Sequence, residues 1–279
     1  MPETAIDQEI GYAKLNLALH VRTRRADGYH ELETIFAFAD QGDVVGCDVA
    51  SELSLSLSGP FTGGLSVGPD NLVLRAAHAL RDGFGIRSGA HIHLEKTLPV
   101  AAGIGGGSAD AAATLRLLCR RWSIDPTDNR VRGMAAMLGA DVLACLASRT
   151  VRGEGVGDQL SGLEGAALSG TPILLVNPGV PCPTGPVFAA WDGVDKGPLA
   201  GGAPFEAALS GRNDLQAAAC RITPEIEPVL SQLAVQPGMV LSRMSGSGAT
   251  CFALFDTEAA RDQAQVAFTG MWTLAARLR

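Results

Sequence analysis

Aromatic side chains are scarce in this 279-residue chain, at 5% of the residues with only two tyrosines. So little stacking surface argues against a platform for single-stranded nucleic acid. Positive charge is also short: 22 Lys and Arg face 29 Asp and Glu, a net charge of −7. With a pI near 5.2, nonspecific binding to a polyanion is disfavoured and no nucleic-acid partner is expected. The six cysteines, at positions 47, 119, 145, 182, 220 and 251, never come as a CxxC pair, so they read as free thiols in a reducing compartment. No apolar run approaches the about 18 residues that span a bilayer, and Met1 to Asp7 lacks the basic and apolar regions of a leader. A cytoplasmic protein without a membrane partner is expected. What is abundant is hydrophobic residue, 47%, and glycine, 34 positions, the composition of a folded chain long enough for one large or two modest domains.

Ala13, Leu15, Leu17, Leu19 and Val21 alternate with Lys14, Asn16, Ala18 and His20, which predicts a half-buried strand with Lys14 and Asn16 on its polar face. Asp27-Gly28 signals a turn into a second strand over about 30–36, and Leu53, Leu55 and Leu57 alternate with serines in a third. Leu72, Val73, Ala76, Ala77 and Leu80 recur at helical spacing, with Asp70 as the cap. A strand over 91–95, a glycine loop over 103–107 and a helix over 108–121 follow. Further helices are predicted over 127–138, after Asp141, and near 213–233, with strands over 173–176 and 250–255. The glycine-dense stretch 153–170 reads as a linker and the Pro/Gly-rich segment to Phe188 as a loop. Consecutive strands followed by long helices indicate an α+β protein, divided into residues 1–160 and 161–279.

The strongest local signal is Leu98-Pro99-Val100-Ala101-Ala102-Gly103-Ile104-Gly105-Gly106-Gly107-Ser108-Ala109-Asp110. Glycines let backbone N–H groups turn toward an anion, and the helix N-terminus behind them adds partial positive charge, so phosphate is the natural guest. The run is neither a Walker A loop nor a dinucleotide fingerprint, and a flexible connector is its ordinary alternative. Lys14 and Asp141 have ordinary readings too, as a solvated strand lysine and a helix cap, as do Asn71 and Lys96, a first-turn residue and a strand-end charge. His91 and His93 share a strand face, but a third metal ligand at recognisable spacing is missing.

Taken together, Ala13-Lys14-Leu15-Asn16-Leu17, Arg25-Ala26-Asp27-Gly28-Tyr29-His30, the glycine run, Gly139-Ala140-Asp141-Val142 and Met244-Ser245-Gly246-Ser247-Gly248-Ala249 resemble the GHMP kinase superfamily, from residue 13 to about 255. The resemblance implies a two-domain α+β fold with the active site in the interdomain cleft. It implies ATP-dependent phosphorylation of an alcohol, and the Arg25–His30 run and the glycine loop are most similar to members acting on the 2-hydroxyl of a cytidine-diphosphate-linked methylerythritol, on the non-mevalonate route to isoprenoid precursors.

The roles it implies are Asp141 as general base and Lys14 as its partner. Pro99, Gly103 to Ser108 and Ala109 would wrap the ATP phosphates, with Asn71, Leu72 and Lys96 near adenine and ribose. Asn16, Tyr29, His30, Thr184 and Phe188 would bind substrate, Tyr29 and Phe188 as the two faces around the cytosine. Magnesium is expected, without identified ligands, and a monomer or weak homodimer. The chain departs from the family pattern at Leu143-Ala144-Cys145, where a proline and aromatics are common, and at Gly185-Pro186. Two other readings stand beside this one: a related kinase acting on a substrate such as homoserine or mevalonate, and a nucleotide-binding regulator of the same fold without turnover.

Overall fold

A computed structural model describes residues 7–163 and 168–279. The leader reading of residues 1–6 and the part of the linker reading at 164–167 lie outside the described residues. In chain order the elements are β1 (Asp7–Arg24), β2 (His30–Ala50), β3 (Leu53–Ser58), α1 (Leu72–Gly83), β4 (Gly89–Glu95), α2 (Gly106–Arg121), α3 (Asn129–Leu138), α4 (Ala140–Ala147), β5 (Val151–Gly155), β6 (Gln159–Gly162) and β7 (Pro172–Asn177). They continue as α5 (Thr184–Ala189), α6 (Pro204–Ser210), α7 (Gln216–Ile222), α8 (Ile226–Ala234), β8 (Met239–Met244), β9 (Cys251–Phe255), α9 (Glu258–Gln265) and β10 (Trp272–Arg277). The α+β composition is as expected from the sequence.

The chain forms two compact units from interleaved segments: one from residues up to Ala13, Gln41–Val100 and Gly106–Ala147, the other from Lys14–Asp40, Ala101–Gly105 and Ser148–Arg279. No single cut in the sequence separates them, because β1 and β2 each run through both.

In the first unit β4 lies between β3, which it pairs in parallel, and the second half of β2, which it pairs antiparallel. Helices α1 to α4 bury Val73, Leu80, Leu115, Leu118, Val131 and Val142, the apolar positions whose helical spacing is visible in the sequence. Asn71, one residue later than expected, is the cap of α1, its Oδ1 accepting the Val73 N–H at 2.9 Å. Asp70 instead takes the Ser66 hydroxyl at 2.7 Å.

In the second unit a sheet of order β10-β7-β9-β8 is antiparallel throughout, and its core joins Leu174, Val176 and Phe255 to Leu19, Val21, Ile226 and Val229. The expected linker is here a hairpin, β5 to β6, with β5 paired to the first half of β2 from Leu32↔Gly155 to Phe36↔Val151. The expected loop before Phe188 contains the short helix α5. The polar face of β1 is not solvated: Lys14, Asn16 and His20 are all buried, so each needs an internal partner.

Candidate functional site

The second unit gathers part of the predicted set around β1. The Lys14 ammonium donates to Asn16 Oδ1 at 2.8 Å, and Asn16 Nδ2 donates to the Thr34 hydroxyl at 2.8 Å, which in turn donates to the Ala18 carbonyl at 2.6 Å. Lys14 Nζ also lies 5.3 Å from the centre of the Phe36 ring. Two residues apart on one strand, Lys14 and Asn16 share a face because side chains alternate. The Lys14 backbone N–H donates to the Ile104 carbonyl at 3.0 Å, tying the first glycines of the run to β1.

The turn Ser245 to Gly248 closes over the same place. Ser245 Oγ donates to the Gly103 carbonyl at 2.9 Å and accepts the Asn16 N–H at 3.3 Å. A Cβ on Gly103 would meet the Ser245 carbonyl at 2.5 Å, and the residue has φ +75°. Glycine is required there by space and by conformation together. Gly105, at φ +65°, brings its backbone to the Lys14 stem, where a Cβ would lie 3.0 Å from Cε. Thr184 Oγ1 and Ser247 Oγ are 2.9 Å apart, joining α5 to this turn.

His30 opens β2 and is buried. Its ring stands 5.1 Å from Phe188 and edge-on to Trp191 at 5.7 Å. Burial first, and then the charge of Arg24, hold it below the ordinary histidine range, so its neutral form, with one donor and one acceptor nitrogen, prevails at neutral pH. Tyr29, at the hairpin tip, is 65% exposed. The ring facing His30 besides Phe188 is Trp191, a residue the sequence reading passed over. Its spacing of three from Phe188, across the end of α5, was the available signal.

The first unit holds the others. The expected loop through residue 107 ends earlier, since α2 begins at Gly106, so Gly106, Gly107 and Ser108 form its first turn with Ala109 buried behind them. Their N–H groups are among those a helix leaves without intrahelical partners, the donor set that the expected phosphate role requires. Pro99 is buried ahead of it. Asp141 is in the first turn of α4, half-buried. Asn71 spends its side chain on the α1 cap and on the Ser66 carbonyl at 2.6 Å, with Leu72 following. Lys96 is buried, its ammonium bound to Asp43 and, at 2.8 Å, to Asp110. Asp110 closes the quoted glycine run without a role assigned to it, and Asp43 was missed, since it lies far from Lys96 in sequence.

His93 is held by Ser56 at 2.8 Å and Asp48 at 2.7 Å, and His91 by Ser54 at 2.7 Å. Among the described residues no group of three His, Cys, Asp or Glu side chains is arranged to hold a metal ion. No helix among them is long and apolar enough to cross a membrane.

Comparison with known proteins adds to this geometry. Residues 71–149 match the model of the GHMP kinases N terminal domain and residues 204–273 that of the GHMP kinases C terminal. The chain is 57% identical to the 4-diphosphocytidyl-2-C-methyl-D-erythritol kinase of Rhizorhabdus wittichii, over 97% of this chain and 94% of that protein. It is 52% identical to the protein of that name from Novosphingobium aromaticivorans, over 98% and 93%. Among solved structures, a 4-(cytidine 5'-diphospho)-2C-methyl-D-erythritol kinase superposes with a TM-score of 0.80 at 33% identity, covering 97% of this chain and 98% of the other. A homoserine kinase from Cytophaga hutchinsonii, at 16% identity and a TM-score of 0.72, shares the fold. With both domain models matched and relatives half-identical over almost the whole length, the chain belongs to the GHMP kinase family of ATP-dependent phosphotransferases.

Proposed function

We propose that this kinase transfers the γ-phosphoryl group of ATP to the 2-hydroxyl of 4-diphosphocytidyl-2-C-methyl-D-erythritol, in the non-mevalonate supply of isoprenoid precursors. The names of the relatives support the substrate. The observation in this chain that carries it is the buried, neutral His30 ring set against Phe188 and Trp191. A cytosine edge offers both a donor and acceptors, and a neutral imidazole can answer with one of each. Tyr29 from the hairpin tip and Thr184 from α5 would complete the base site, with Asn16 beside the sugar-like portion.

In the proposed reaction the acceptor oxygen bonds to the γ-phosphorus as the bridging oxygen–phosphorus bond breaks, ADP departs, and the hydroxyl proton passes to the Asp141 carboxylate. Lys14, oriented by Asn16, would partner that carboxylate and offset charge on the phosphoryl group in flight. Pro99, Gly103 to Gly107, Ile104, Ser108 and Ala109 would form the phosphate cradle, with Asn71, Leu72 and Lys96 along the nucleoside end. Magnesium would arrive on the nucleotide's own oxygens, with Ser108 adding a hydroxyl. The sequence halves 1–160 and 161–279, each containing one of the matched models, would be the ATP-binding and C-terminal functional domains. A cytoplasmic monomer or weak homodimer without nucleic-acid partners completes the proposal, supported by six free thiols and the acidic balance.

The test is ADP release from ATP, magnesium and the cytidyl substrate. Asp141→Asn is expected to lower kcat at least about 10³-fold with ATP affinity within twofold of wild type. A fully active Asp141→Asn removes the general-base role, and turnover of homoserine or mevalonate with no response to cytidine diphosphate removes the substrate.

A further inference from the structure

Beyond Trp191 the chain has neither helix nor strand until α6 begins at Pro204, yet the stretch 192–200 is fastened along its length within the second unit. Glu33 on β2 is the centre of the fastening. Its Oε2 accepts the Leu199 N–H at 2.7 Å and an Arg152 N–H at 2.8 Å, and its Oε1 binds Arg22. Arg22 in turn grips Asp195 through two N–H groups, at 2.9 and 3.0 Å. Arg152 donates to the Leu199 and Ala200 carbonyls at 3.2 and 3.1 Å. The Gly197 carbonyl accepts from Arg212 at 2.7 Å and from His20 Nδ1 at 3.2 Å.

The Glu33 side chain is 15% exposed, against 42% for Asp195. Well-exposed ion pairs contribute little, whereas a carboxylate with little water around it, taking two guanidinium groups and a backbone N–H, is bonded by charge-assisted contacts at both oxygens. Glu33 rather than Asp195 is therefore the anchor.

Two residues of β2 bracket the segment: the His30 ring meets Trp191 at its start, and Glu33 takes Leu199 near its end. Ahead of Trp191 the chain is fixed by α5 and by Arg221, which donates to the Ala190 carbonyl at 2.8 Å. The indole has no polar tether of its own, because Trp191 Nε1 is shut away from solvent without a hydrogen-bond partner. Its place against His30 is set by packing and by where the backbone on either side is held.

We infer that Glu33 is a positioning residue for substrate: by fastening the segment that leaves Trp191, it keeps the indole against His30 and so sets how tightly the base of the substrate is held. This rests on the reading of His30, Phe188 and Trp191 as the base site. An irregular segment without its anchors samples several positions, and the apparent affinity of a site falls by the fraction of time its binding form is populated. Loss of the Glu33 charge is expected to leave the indole in place about one tenth of the time, a tenfold weaker site.

The experiment is steady-state kinetics of the full-length protein with ATP, magnesium and the cytidyl substrate, over a cycle of wild type, Glu33→Gln, Trp191→Ala and the double variant. Glu33→Gln keeps the size of the side chain and removes its charge. It should raise the KM for the cytidyl substrate about tenfold, with kcat and the KM for ATP within about twofold of wild type. Trp191→Ala should raise the same KM, and adding Glu33→Gln to it should change that KM by less than about twofold, since the residue to be positioned is gone. An unchanged substrate KM in Glu33→Gln, an equal rise in the KM for ATP, or a rise that persists in full beside Trp191→Ala overturns the inference; the last two mark a residue that only supports the fold. Should Glu33→Gln not fold, Asp195→Asn on the exposed side of the fastening replaces it in the cycle, with an expected rise of about threefold that disappears beside Trp191→Ala, and a wild-type KM overturns the inference. Wild-type enzyme that cytidine diphosphate does not inhibit removes the base-site reading and this inference with it, whereas inhibition intact with a failed cycle removes the inference alone.

Discussion

The His30 ring is neutral because it is buried and because Arg24 repels a second positive charge. A histidine held down in the folded state resists protons that the unfolded chain accepts freely near pH 6.5. Above that value the group contributes no pH dependence to stability. As the pH falls below it, stability is lost until the folded-state ring also protonates. Melting temperature measured from about pH 8 to about pH 5 should therefore decline less steeply in His30→Gln than in wild type. Affinity for cytidine diphosphate should hold through that window and weaken only further into the acid range, once the folded-state ring itself protonates, because an imidazolium has no acceptor nitrogen left. Gly103 has the opposite character, tolerating no change at all. With φ +75° and a Cβ position 2.5 Å from the Ser245 carbonyl, Gly103→Ala should cost about 1–3 kcal/mol in denaturant unfolding and weaken ATP binding by moving the cradle.

Among the elements, α1 offers a clean separation of structural and binding roles. Asn71→Ala removes the acceptor for the Val73 N–H and should destabilise by about 1 kcal/mol. Asn71→Asp keeps that acceptor while losing the amide that donates to the Ser66 carbonyl. An ATP KM raised in the Asp variant, with its melting point near wild type, would mark the amide as part of nucleotide recognition.

The elements that were legible from sequence are those whose cause is local. The alternation of β1, the apolar stripes of α1 to α4 and the glycine run feeding α2 all follow from spacing within one segment. The β5–β6 hairpin was hidden because its glycines answer to something distant. A Cβ on Gly153 would lie 2.6 Å from the Phe36 ring, so the residue is small to let two strands approach, and in sequence it reads only as flexibility. The elements α6, α9, β8 and β10 went unread, although β3, β7 and β9 are no longer than these; α9, for one, buries only Arg261 and Ala264, too few apolar positions to mark a period. In the site, Lys14 and Asn16 were readable as a pair, whereas Asp43, Thr34 and Trp191 enter through partners that only the fold supplies.

On the scale of the whole molecule, the last residues are sewn to a strand laid down near the beginning. Leu278 is buried and bridges Ala39, Arg279 N–H donates to the Phe38 carbonyl at 2.9 Å, and Arg277 N–H to Asp40 Oδ1 at 3.0 Å. The Leu278 carbonyl also accepts the Gly170 N–H at 2.7 Å. Removing Leu278 and Arg279 should cost about 2–4 kcal/mol, from one buried leucine and several backbone hydrogen bonds, read as a lower denaturant midpoint. All six cysteines are free, so the melting temperature should be the same with and without a reducing agent.

The interleaving of segments bears on how the chain is born. Translation completes the segments of the first unit once Ala147 has left the ribosome, but the second unit already owns Lys14–Asp40 and still awaits Ser148–Arg279. During that interval β1 and β2 have each other, but Leu19 and Val21 still lack their later core partners Leu174, Val176, Ile226 and Val229, the situation in which nascent chains recruit holding factors or aggregate. Stalled nascent chains of increasing length should gain protease resistance in the first unit's segments well before residues 14–40 become protected.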